Sequence, residues 1–304
     1  MTIKPVKRKS RSRVADAVVV GAGPAGLTAA IQLVRQGIKT IVLEKGRPGG
    51  QIRTANLVEN FPGMFGMKGE EAADEFVDHA RKIGVKILKE EALRINPDLT
   101  VITNSGKWRS KAVIVATGAV PLKIGNDTRH ASVDLEHPSS LNGKSVLILG
   151  GGDAAFDRGL RLSGIASSVT IICRGRTSAL ELLVKRAINA GVRIVQDAGE
   201  SRPISSGKGA LVSTRKGVFC GDALLLCIGK GPNTSILPTP LEKLSLQALT
   251  GETNIPGLFV IGDAMAGEYR QLGVAVGTAI ASAMRTGKYL KDKYGIQGTS
   301  DGWE

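Results

Sequence analysis

The chain of 304 residues is poor in several features that define whole classes of protein. Its three cysteines, Cys173, Cys220 and Cys227, are too few and too widely spaced for a disulfide framework. No apolar run approaches the ~18 residues that a membrane span needs, and the first residues contain no apolar stretch typical of a secretory signal peptide. We therefore expect a cytoplasmic protein that works in a reducing compartment and not in a membrane.

Aromatic residues make up only 4% of the chain, too few for the stacking platforms of single-strand nucleic-acid binders. Neither zinc-finger spacing nor basic residues interleaved with aromatics occur, so we expect no nucleic-acid partner. The three histidines, His79, His130 and His137, show no metal-ligand spacing, and we expect no metal site.

Positive charge and glycine are in excess. Lys and Arg total 41 against 27 acids, a net charge of +14, and six of these cations fall within residues 1–13. A solvated basic tail is the simplest interpretation, with nucleic acid, anionic lipid or an acidic protein as alternative partners. Glycine contributes 39 residues, roughly twice the usual share, which indicates many tight turns and close backbone approaches.

One pattern of strand, glycine turn, helix and strand occurs twice, about 130 residues apart. Its first copy joins a buried strand at Ala15–Val20 to a second strand at Ile38–Glu44, and its second copy joins Lys144–Leu149 to Ser167–Arg174. Each copy is a βαβ unit. The sequence therefore predicts an α/β protein with two doubly wound, Rossmann-like dinucleotide-binding domains.

The first turn, G-A-G-P-A-G at 21–26, has a separate use for each glycine. Gly21 permits a tight turn, Gly23 lets the backbone approach a pyrophosphate, and Gly26 lets the helix pack on the strand. Glu44 ends the second strand, where its carboxylate is placed to accept the ribose hydroxyls and to repel a 2′-phosphate.

The second turn contains Gly150, Gly151 and Gly152, with Ala155 in the third glycine position. Arginines rather than an acid follow its second strand. Arg174 and Arg176 suit a 2′-phosphate, which favours NADPH over NADH as the second nucleotide. The alternative is that both arginines solvate a surface turn.

Eight motifs in this order resemble the low-molecular-weight thioredoxin reductase family. Besides the two glycine turns they are P-G-G-Q-I at 48–52, V-E-N-F-P-G at 58–63, A-T-G-A at 116–119, G-P-N-T at 231–234, F-V-I-G-D-A at 259–264 and R-Q at 270–271. The resemblance implies a homodimeric flavoprotein that uses FAD and NADPH, with NADH possible. It also implies a basic tail at 1–14, a discontinuous FAD-binding domain at 15–121 and 243–304, and an NAD(P)-binding domain at 122–242.

The resemblance carries the family's binding residues onto matching positions here. Asn60 is expected close to the flavin, Asp263 on the ribitol hydroxyls, and Arg270 and Gln271 at the flavin's pyrimidine edge. The expected FAD residues are Gly21, Gly23, Pro24, Ala25, Gly26, Glu44, Lys45, Gly50, Gln51, Asn60, Ala116, Thr117, Gly118, Gly262, Asp263, Arg270, Gln271 and Leu272. The expected NAD(P) residues are Gly150, Gly152, Asp153, Ala154, Ala155, Arg174, Arg176 and Gly229.

One departure from the family decides the expected function. Thioredoxin reductases of this type carry a C-x-x-C pair shortly before the second glycine turn, where this chain has Val133 and Glu136. A thiol relay needs a second thiol to resolve the mixed disulfide. The family's branch without the cysteine pair, ferredoxin(flavodoxin)–NADP reductase, is the preferred expectation, with an acidic ferredoxin or flavodoxin as partner.

Two other functions remain open at this stage, the second of them because the family's arginine signature is altered to C-R-G-R-T-S-A at 173–179. They are an NAD(P)H oxidase or small-molecule reductase, and an FAD-binding protein whose nicotinamide site has decayed. An acid/base site at Glu136, His137 and Asp157 is weighed against a solvated linker, and the linker is preferred. Trp303 or Tyr294 is considered as an aromatic cover for the flavin, with a loose end preferred.

Overall fold

The computed structural model describes residues 12–122, 124, 138–204 and 209–296. The basic tail before Ser12, the positions Val133, Glu136 and His137, and Trp303 lie outside the described residues.

The chain divides into two compact units. Unit 1 comprises Met1–Ile52, Glu71–Ala119 and Pro232–Glu304, and unit 2 comprises Arg53–Glu70 and Val120–Gly231. The return to unit 1 thus comes about ten residues before the expected boundary at 242, and a short segment after Ile52 groups with unit 2.

The described residues form five α-helices and twenty strands, most of the strands short. The helices are α1 (Pro24–Arg35), α2 (Gly69–Lys82), α3 (Asp153–Ser163), α4 (Glu181–Asn189) and α5 (Leu272–Tyr294). The strands are β1 (Ser12–Val14), β2 (Ala17–Val20), β3 (Thr40–Glu44), β4 (Leu57–Val58), β5 (Met67–Lys68), β6 (Lys86–Lys89), β7 (Ala92–Ile95), β8 (Val101–Thr103), β9 (Gly106–Arg109), β10 (Ala112–Val115), β11 (Ala119–Pro121), β12 (Ser145–Leu149), β13 (Ser168–Ile172), β14 (Arg193–Val195), β15 (Arg202–Ile204), β16 (Ala210–Thr214), β17 (Gly217–Gly221), β18 (Ala223–Leu226), β19 (Lys230–Pro232) and β20 (Leu258–Val260).

Unit 1 is built on a five-stranded parallel sheet in the order β20-β10-β2-β3-β6. Strands β2 and β10 read Ala-Val-Val-Val and Ala-Val-Ile-Val and are buried throughout, as expected for central strands covered on both faces. Residues of α1 and α5 pack on one face of this sheet. Because all five strands are parallel, their carboxyl ends share one edge, and the first glycine turn follows β2 at that edge.

A smaller sheet in unit 1, in the order β1-β9-β8-β7, is absent from the sequence prediction. One buried carboxylate holds it together. Glu90 accepts a bidentate pair of hydrogen bonds from Arg13 at 2.5 and 2.6 Å, and it also accepts from Thr103 and from the indole N–H of Trp108. The Arg13 guanidinium stacks 4.3 Å from the centre of the Trp108 ring.

Unit 2 is built on a four-stranded parallel sheet in the order β14-β13-β12-β18. Residues of α3 and α4 cover one face, where Phe156 and Leu162 are fully buried. An antiparallel sheet, β15-β16-β17, covers the other through Val212 and Phe219. Each unit therefore contains one of the two predicted βαβ folds, and the fold class is confirmed.

Candidate functional site

The first glycine turn in unit 1 excludes side chains at two of its three glycines. Gly21 has φ = +104°, and a Cβ atom added there would lie 2.3 Å from the carbonyl oxygen of Ala116. A Cβ atom at Gly26 would lie 1.9 Å from the carbonyl oxygen of Gly21. The close approach of β2, α1 and β10 therefore requires glycine at both positions.

Gly23 differs, because the protein itself leaves room for a side chain there. Its φ is −78°, and the nearest atom to an added Cβ would be the Cα of Gly50 at 3.8 Å. Helix α1 begins directly after it at Pro24, and no described side chain caps the helix N-terminus. The residues thus form an open cradle of main-chain N–H groups, which fits a pyrophosphate.

Glu44 lies beside this cradle at the carboxyl end of β3. Its Oε2 accepts a hydrogen bond from the N–H of Ala22 at 2.7 Å, and its Oε1 accepts from the N–H of Gly46 at 2.8 Å. These bonds fix the carboxylate against the turn, in the place where an adenosine ribose is bound in this fold. The neighbouring Lys45 is exposed.

The Pro-Gly-Gly-Gln segment lies along the same cradle. Gly50 has φ = +64°, and a Cβ atom added there would lie 2.8 Å from the Cα of Gly23. The N–H of Gly49 donates to the carbonyl oxygen of Ala22 at 2.7 Å. The Gln51 amide donates to the carbonyl oxygen of Ala119 next to Gly118, so this segment joins the first turn to the end of β10.

The turn after β20 contacts the start of α1. Gly262 has φ = +62°, and an added Cβ would lie 2.8 Å from the Cβ of Ala25. Asp263 follows in a short 3-10 helix, and the Arg270 Nε donates to its carbonyl oxygen at 3.3 Å. Helix α5 then begins at Leu272 without a described side-chain cap at Gln271.

Most of the residues predicted for the first nucleotide thus belong to the turns at one edge of the unit 1 sheet. Thr117 follows Ala116 there, and its hydroxyl donates to the carbonyl oxygen of Asn233, while the Asn233 amide donates to the carbonyl oxygen of Thr117 at 3.3 Å. Asn60 is the exception, since it is exposed on the Arg53–Glu70 segment of unit 2.

The second glycine turn in unit 2 has the same construction. Gly150 has φ = +148°, and an added Cβ would lie 2.2 Å from the carbonyl oxygen of Cys227. The nearest atom to a Cβ at Gly152 would be the hydroxyl oxygen of Ser178 at 3.7 Å, so this position is again open. Ala155 is fully buried, and Gly159 one turn later brings α3 close to Ile171 of β13.

A cavity of about 700 Å³ opens above the second turn, entirely within unit 2. Seven of the eight residues predicted for NAD(P) line it: Gly150, Gly152, Asp153, Ala154, Arg174, Arg176 and Gly229. Ala155 does not line the cavity, since it is buried beneath the turn. The carboxylate of Asp153 accepts a hydrogen bond from the N–H of Leu180 at 2.8 Å. Arg158 and Lys230 also line the cavity. Neither residue was predicted, because no sequence motif marks it.

None of the three cysteines forms a disulfide. Cys173 and Cys227 flank Gly150, at the ends of β13 and β18, whereas the exposed Cys220 lies in the β16–β17 hairpin. Burial raises the pKa of the Cys173 thiol, helped by the negative charge of Asp197. Burial also raises the pKa of the Cys227 thiol, although Arg158 opposes that shift.

Asp157 belongs to neither nucleotide site. Its half-buried carboxylate accepts hydrogen bonds from the main-chain N–H of Asn56 at 3.0 and 3.2 Å. Burial raises the pKa of this carboxyl group, while the N–H groups of Asn56 and Leu57 lower it. Asp157 therefore anchors a loop of unit 2. Glu136 and His137, its suggested partners in an acid/base site, lie outside the described residues.

Two glycine turns of this geometry, one in each unit, define a protein with two dinucleotide-binding folds. Comparison with known proteins gives the same class. The family model described as pyridine nucleotide-disulphide oxidoreductase matches residues 15–279. Thioredoxin reductase of Bacillus subtilis is 30% identical, with 93% of this chain and 97% of the relative covered. A 34.2 kDa protein in a rubredoxin operon of Clostridium pasteurianum is also 30% identical, with 91% and 98% covered.

Solved structures agree. Lactococcus lactis thioredoxin reductase aligns with a TM-score of 0.81 at 26% identity, covering 91% of this chain and 99% of that one. The T. acidophilum thioredoxin reductase aligns with a TM-score of 0.79 at 24% identity, over 91% and 98% of the two chains, and supports the fold alone.

The chain belongs to the pyridine nucleotide-disulphide oxidoreductase family. It is an FAD-dependent oxidoreductase of the thioredoxin reductase type, a type that binds FAD and NADPH. No helix in the described part of the chain is long and apolar enough to cross a membrane.

Proposed function

We propose that this protein passes electrons from NADPH through FAD to an acceptor protein other than thioredoxin, most specifically a ferredoxin or flavodoxin. FAD supplies the chemistry, because it accepts a hydride from a nicotinamide and returns the electrons singly to a one-electron carrier. The protein binds and orients both nucleotides and recognises the carrier. Its cysteine inventory is the observation that carries the proposal.

Unit 1 holds the FAD in this proposal. The open cradle at Gly23 and the N-terminus of α1 receive the pyrophosphate, and Glu44 receives the ribose hydroxyls. Asp263 binds the ribitol chain, and the uncapped N–H groups at Leu272 stabilise negative charge on the flavin ring. The remaining FAD residues of unit 1 predicted from the sequence keep their proposed roles, and Asn60 stays a prediction.

Unit 2 holds the NADPH. The turn at Gly150–Gly152 and the start of α3 receive its pyrophosphate, and the cavity above them has room for an extended nucleotide. Arg174 and Arg176 are exposed at the end of β13, where the 2′-phosphate of the adenosine ribose is bound in this fold. A formed cavity with these arginines favours a working nicotinamide site over a decayed one.

Electrons leave from the flavin and not from a thiol pair. No C-x-x-C occurs in the sequence, and Cys173 and Cys227 are separated by β12 and its Gly150 turn. Burial raises the pKa of both thiols, so neither is a thiolate ready to attack a disulfide at neutral pH. Without a resolving partner, a thiol relay to thioredoxin has no second step.

The charge of the chain supports an acidic protein as the acceptor. A net charge of +14 attracts an acidic carrier over long distances and increases the rate of encounter. One 30% identical relative is a 34.2 kDa protein in the operon of rubredoxin, a small electron carrier. A carrier of that kind is consistent with a flavin that delivers electrons singly.

A comparison of acceptors tests the proposal. The FAD-loaded protein is mixed with NADPH or NADH and, in separate assays, with ferredoxin, flavodoxin, oxygen, or thioredoxin with a dithiol reporter. We expect turnover with ferredoxin or flavodoxin and none with thioredoxin. If the protein turns over with oxygen and neither carrier increases the rate, the result would favour the NAD(P)H oxidase hypothesis. Reduction of thioredoxin would contradict the proposal.

We also propose how the two domains move and that two copies of the chain form a dimer. In this proposal the FAD domain corresponds to unit 1 and the NAD(P) domain to unit 2. Hinges near 118–122 and 240–245, as expected from the sequence, would let the two nucleotides approach each other. The protein is expected to be a cytoplasmic homodimer, which sedimentation in solution checks directly.

A further inference from the structure

The cavity in unit 2 has two chemically different ends, one on each side of the Gly150 turn. Strand order β14-β13-β12-β18 places β13 on one side of β12 and β18 on the other. A dinucleotide with its pyrophosphate at the turn lays its adenosine half towards β13 and its nicotinamide half towards β18. This assignment rests on the proposed NADPH site.

The β18 end of the cavity contains a guanidinium group. Arg158 lies on the second turn of α3 and lines the cavity together with Cys227, Gly229 and Lys230. Its Nη1 donates a hydrogen bond to the Sγ of Cys227 at 3.1 Å, so the guanidinium is fixed against the end of β18.

The charge of Arg158 is not cancelled by the thiol that it contacts. Burial raises the pKa of Cys227, which therefore stays protonated and neutral near pH 7. The adjacent acid, Asp157, directs its carboxylate to the N–H groups of Asn56 and Leu57. Arg158 thus places a positive charge at the β18 end of the cavity that neither of these two groups neutralises.

A positive group at this place distinguishes the two redox states of the ligand. The dihydronicotinamide ring is neutral, and loss of a hydride from C4 with both bonding electrons to the flavin leaves a ring with one positive charge. Like charges a few ångströms apart repel, and they do so more strongly beside protein than in bulk water. The phosphates are identical in both states, so the ring alone carries the difference.

We infer that Arg158 is a specificity-determining residue that makes unit 2 bind reduced nicotinamide nucleotide in preference to the oxidised form. Repulsion of the oxidised ring promotes release of the product after hydride transfer. Arg174 and Arg176, at the other end, hold the phosphate common to both forms and do not discriminate between them.

Equilibrium dialysis of the oxidised, FAD-loaded protein tests this inference without turnover. The two ligands are NADP⁺ and tetrahydro-NADPH, whose ring is neutral and has no hydride to transfer. We expect the wild-type protein to bind tetrahydro-NADPH more tightly. The ratio to compare is the Kd for NADP⁺ divided by the Kd for tetrahydro-NADPH. Arg158→Gln should lower this ratio about fivefold, chiefly because NADP⁺ binds more tightly.

Two further variants complete the design. Arg158→Lys keeps the charge and should keep most of the wild-type ratio, which a purely structural role of Arg158 would not predict. Arg176→Gln should raise the dissociation constants of both ligands by the same factor and leave their ratio unchanged. Flavin absorbance and circular dichroism confirm that each variant is folded.

The outcomes separate this inference from the function on which it rests. An unchanged ratio in Arg158→Gln, or a wild-type ratio of one, overturns the role of Arg158 and leaves the NADPH site standing. Failure of the wild-type protein to bind either ligand overturns the NADPH site itself, and the inference with it.

Discussion

Gly21 and Gly23 lie two residues apart in one turn, but they are glycine for different reasons. At Gly21 the protein forbids a side chain, through a positive φ and the carbonyl oxygen of Ala116. At Gly23 the protein leaves room, and only a ligand would be obstructed. The sequence motif alone does not separate these reasons, because all its glycines look alike.

This difference predicts opposite effects of two alanine substitutions. Gly21→Ala should destabilise unit 1 by about 3 kcal/mol, because the clash adds to backbone strain. Gly23→Ala should leave the melting temperature of the FAD-free protein nearly unchanged and sharply reduce the FAD retained on purification. Equal loss of stability in both variants would contradict the assignment of Gly23 to the pyrophosphate.

Glu90 shows how a buried carboxylate at the residue scale stabilises a whole sheet. Burial favours its neutral form, but hydrogen bonds from Arg13, Trp108 and Thr103 outweigh that effect and lower the pKa. A carboxyl group with a lower pKa in the folded state stabilises the fold above its unfolded pKa. That contribution is lost as the pH falls through the folded value.

Glu90→Gln should therefore reduce the free energy of unfolding by about 2 kcal/mol at pH 7. The difference from wild type should shrink as the pH falls below the unfolded-state pKa of about 4.3 and through the lower folded-state pKa, where the wild-type carboxylate becomes protonated. Urea unfolding of the wild type and of Glu90→Gln, at pH 7 and at pH 3, measures this difference in the free energy of unfolding. A difference that is the same at pH 7 and pH 3 would show that the charge of Glu90 is unimportant.

At the scale of elements, loop Arg53–Glu70 is held to helices α3 and α4 of unit 2 by polar contacts. The Asp157 carboxylate of α3 accepts a hydrogen bond from the main-chain N–H of Asn56 in this loop. Arg161, also on α3, donates to the carbonyl oxygen of Arg53 at 2.8 Å. Arg186 of α4 forms a bidentate pair with Glu59, and that hydrogen bonding lowers the pKa of the Glu59 carboxyl.

Asp157→Ala should release this loop without unfolding the sheet. Loss of the carboxylate leaves two main-chain N–H groups without their acceptor, so hydrogen exchange at Asn56 and Leu57 should rise at least tenfold. Exchange in β12 and β13 should stay at the wild-type rate. Asp78→Asn, a change at an exposed acid on α2, is the matched control and should alter neither.

The elements that the sequence predicted are the long or strongly apolar ones. Strands β2, β3, β12 and β13 fall within a few residues of the expected bounds, and a helix joins the two strands of each βαβ unit as predicted. The antiparallel strands β7–β9 and β15–β17 were missed, because they are three to five residues long and partly exposed, too short to show a period.

The candidate site divides in the same way. Glycine turns and Glu44 are visible in the sequence because their spacing is fixed by the βαβ fold. Arg158 is not, because its position in the cavity depends on how α3 packs against β18. No sequence pattern marks one arginine in a helix as different from its neighbours.

At the scale of the whole molecule, the excess of positive charge should govern encounter with a partner. We expect kcat/KM for reduction of ferredoxin to fall at least tenfold between low and high ionic strength. Reduction of an uncharged quinone by the same protein should change little and serves as the control. A salt-independent reaction with ferredoxin would exclude electrostatic steering.

The central claim is that the flavin is the only redox centre in the chain, since no cysteine has a thiol partner. An anaerobic titration of the FAD-loaded protein with a calibrated reductant, followed by flavin absorbance, counts the electrons taken up. We predict two electrons per FAD, with NADPH able to supply them. An uptake of four electrons per FAD would reveal a redox-active disulfide and contradict the account.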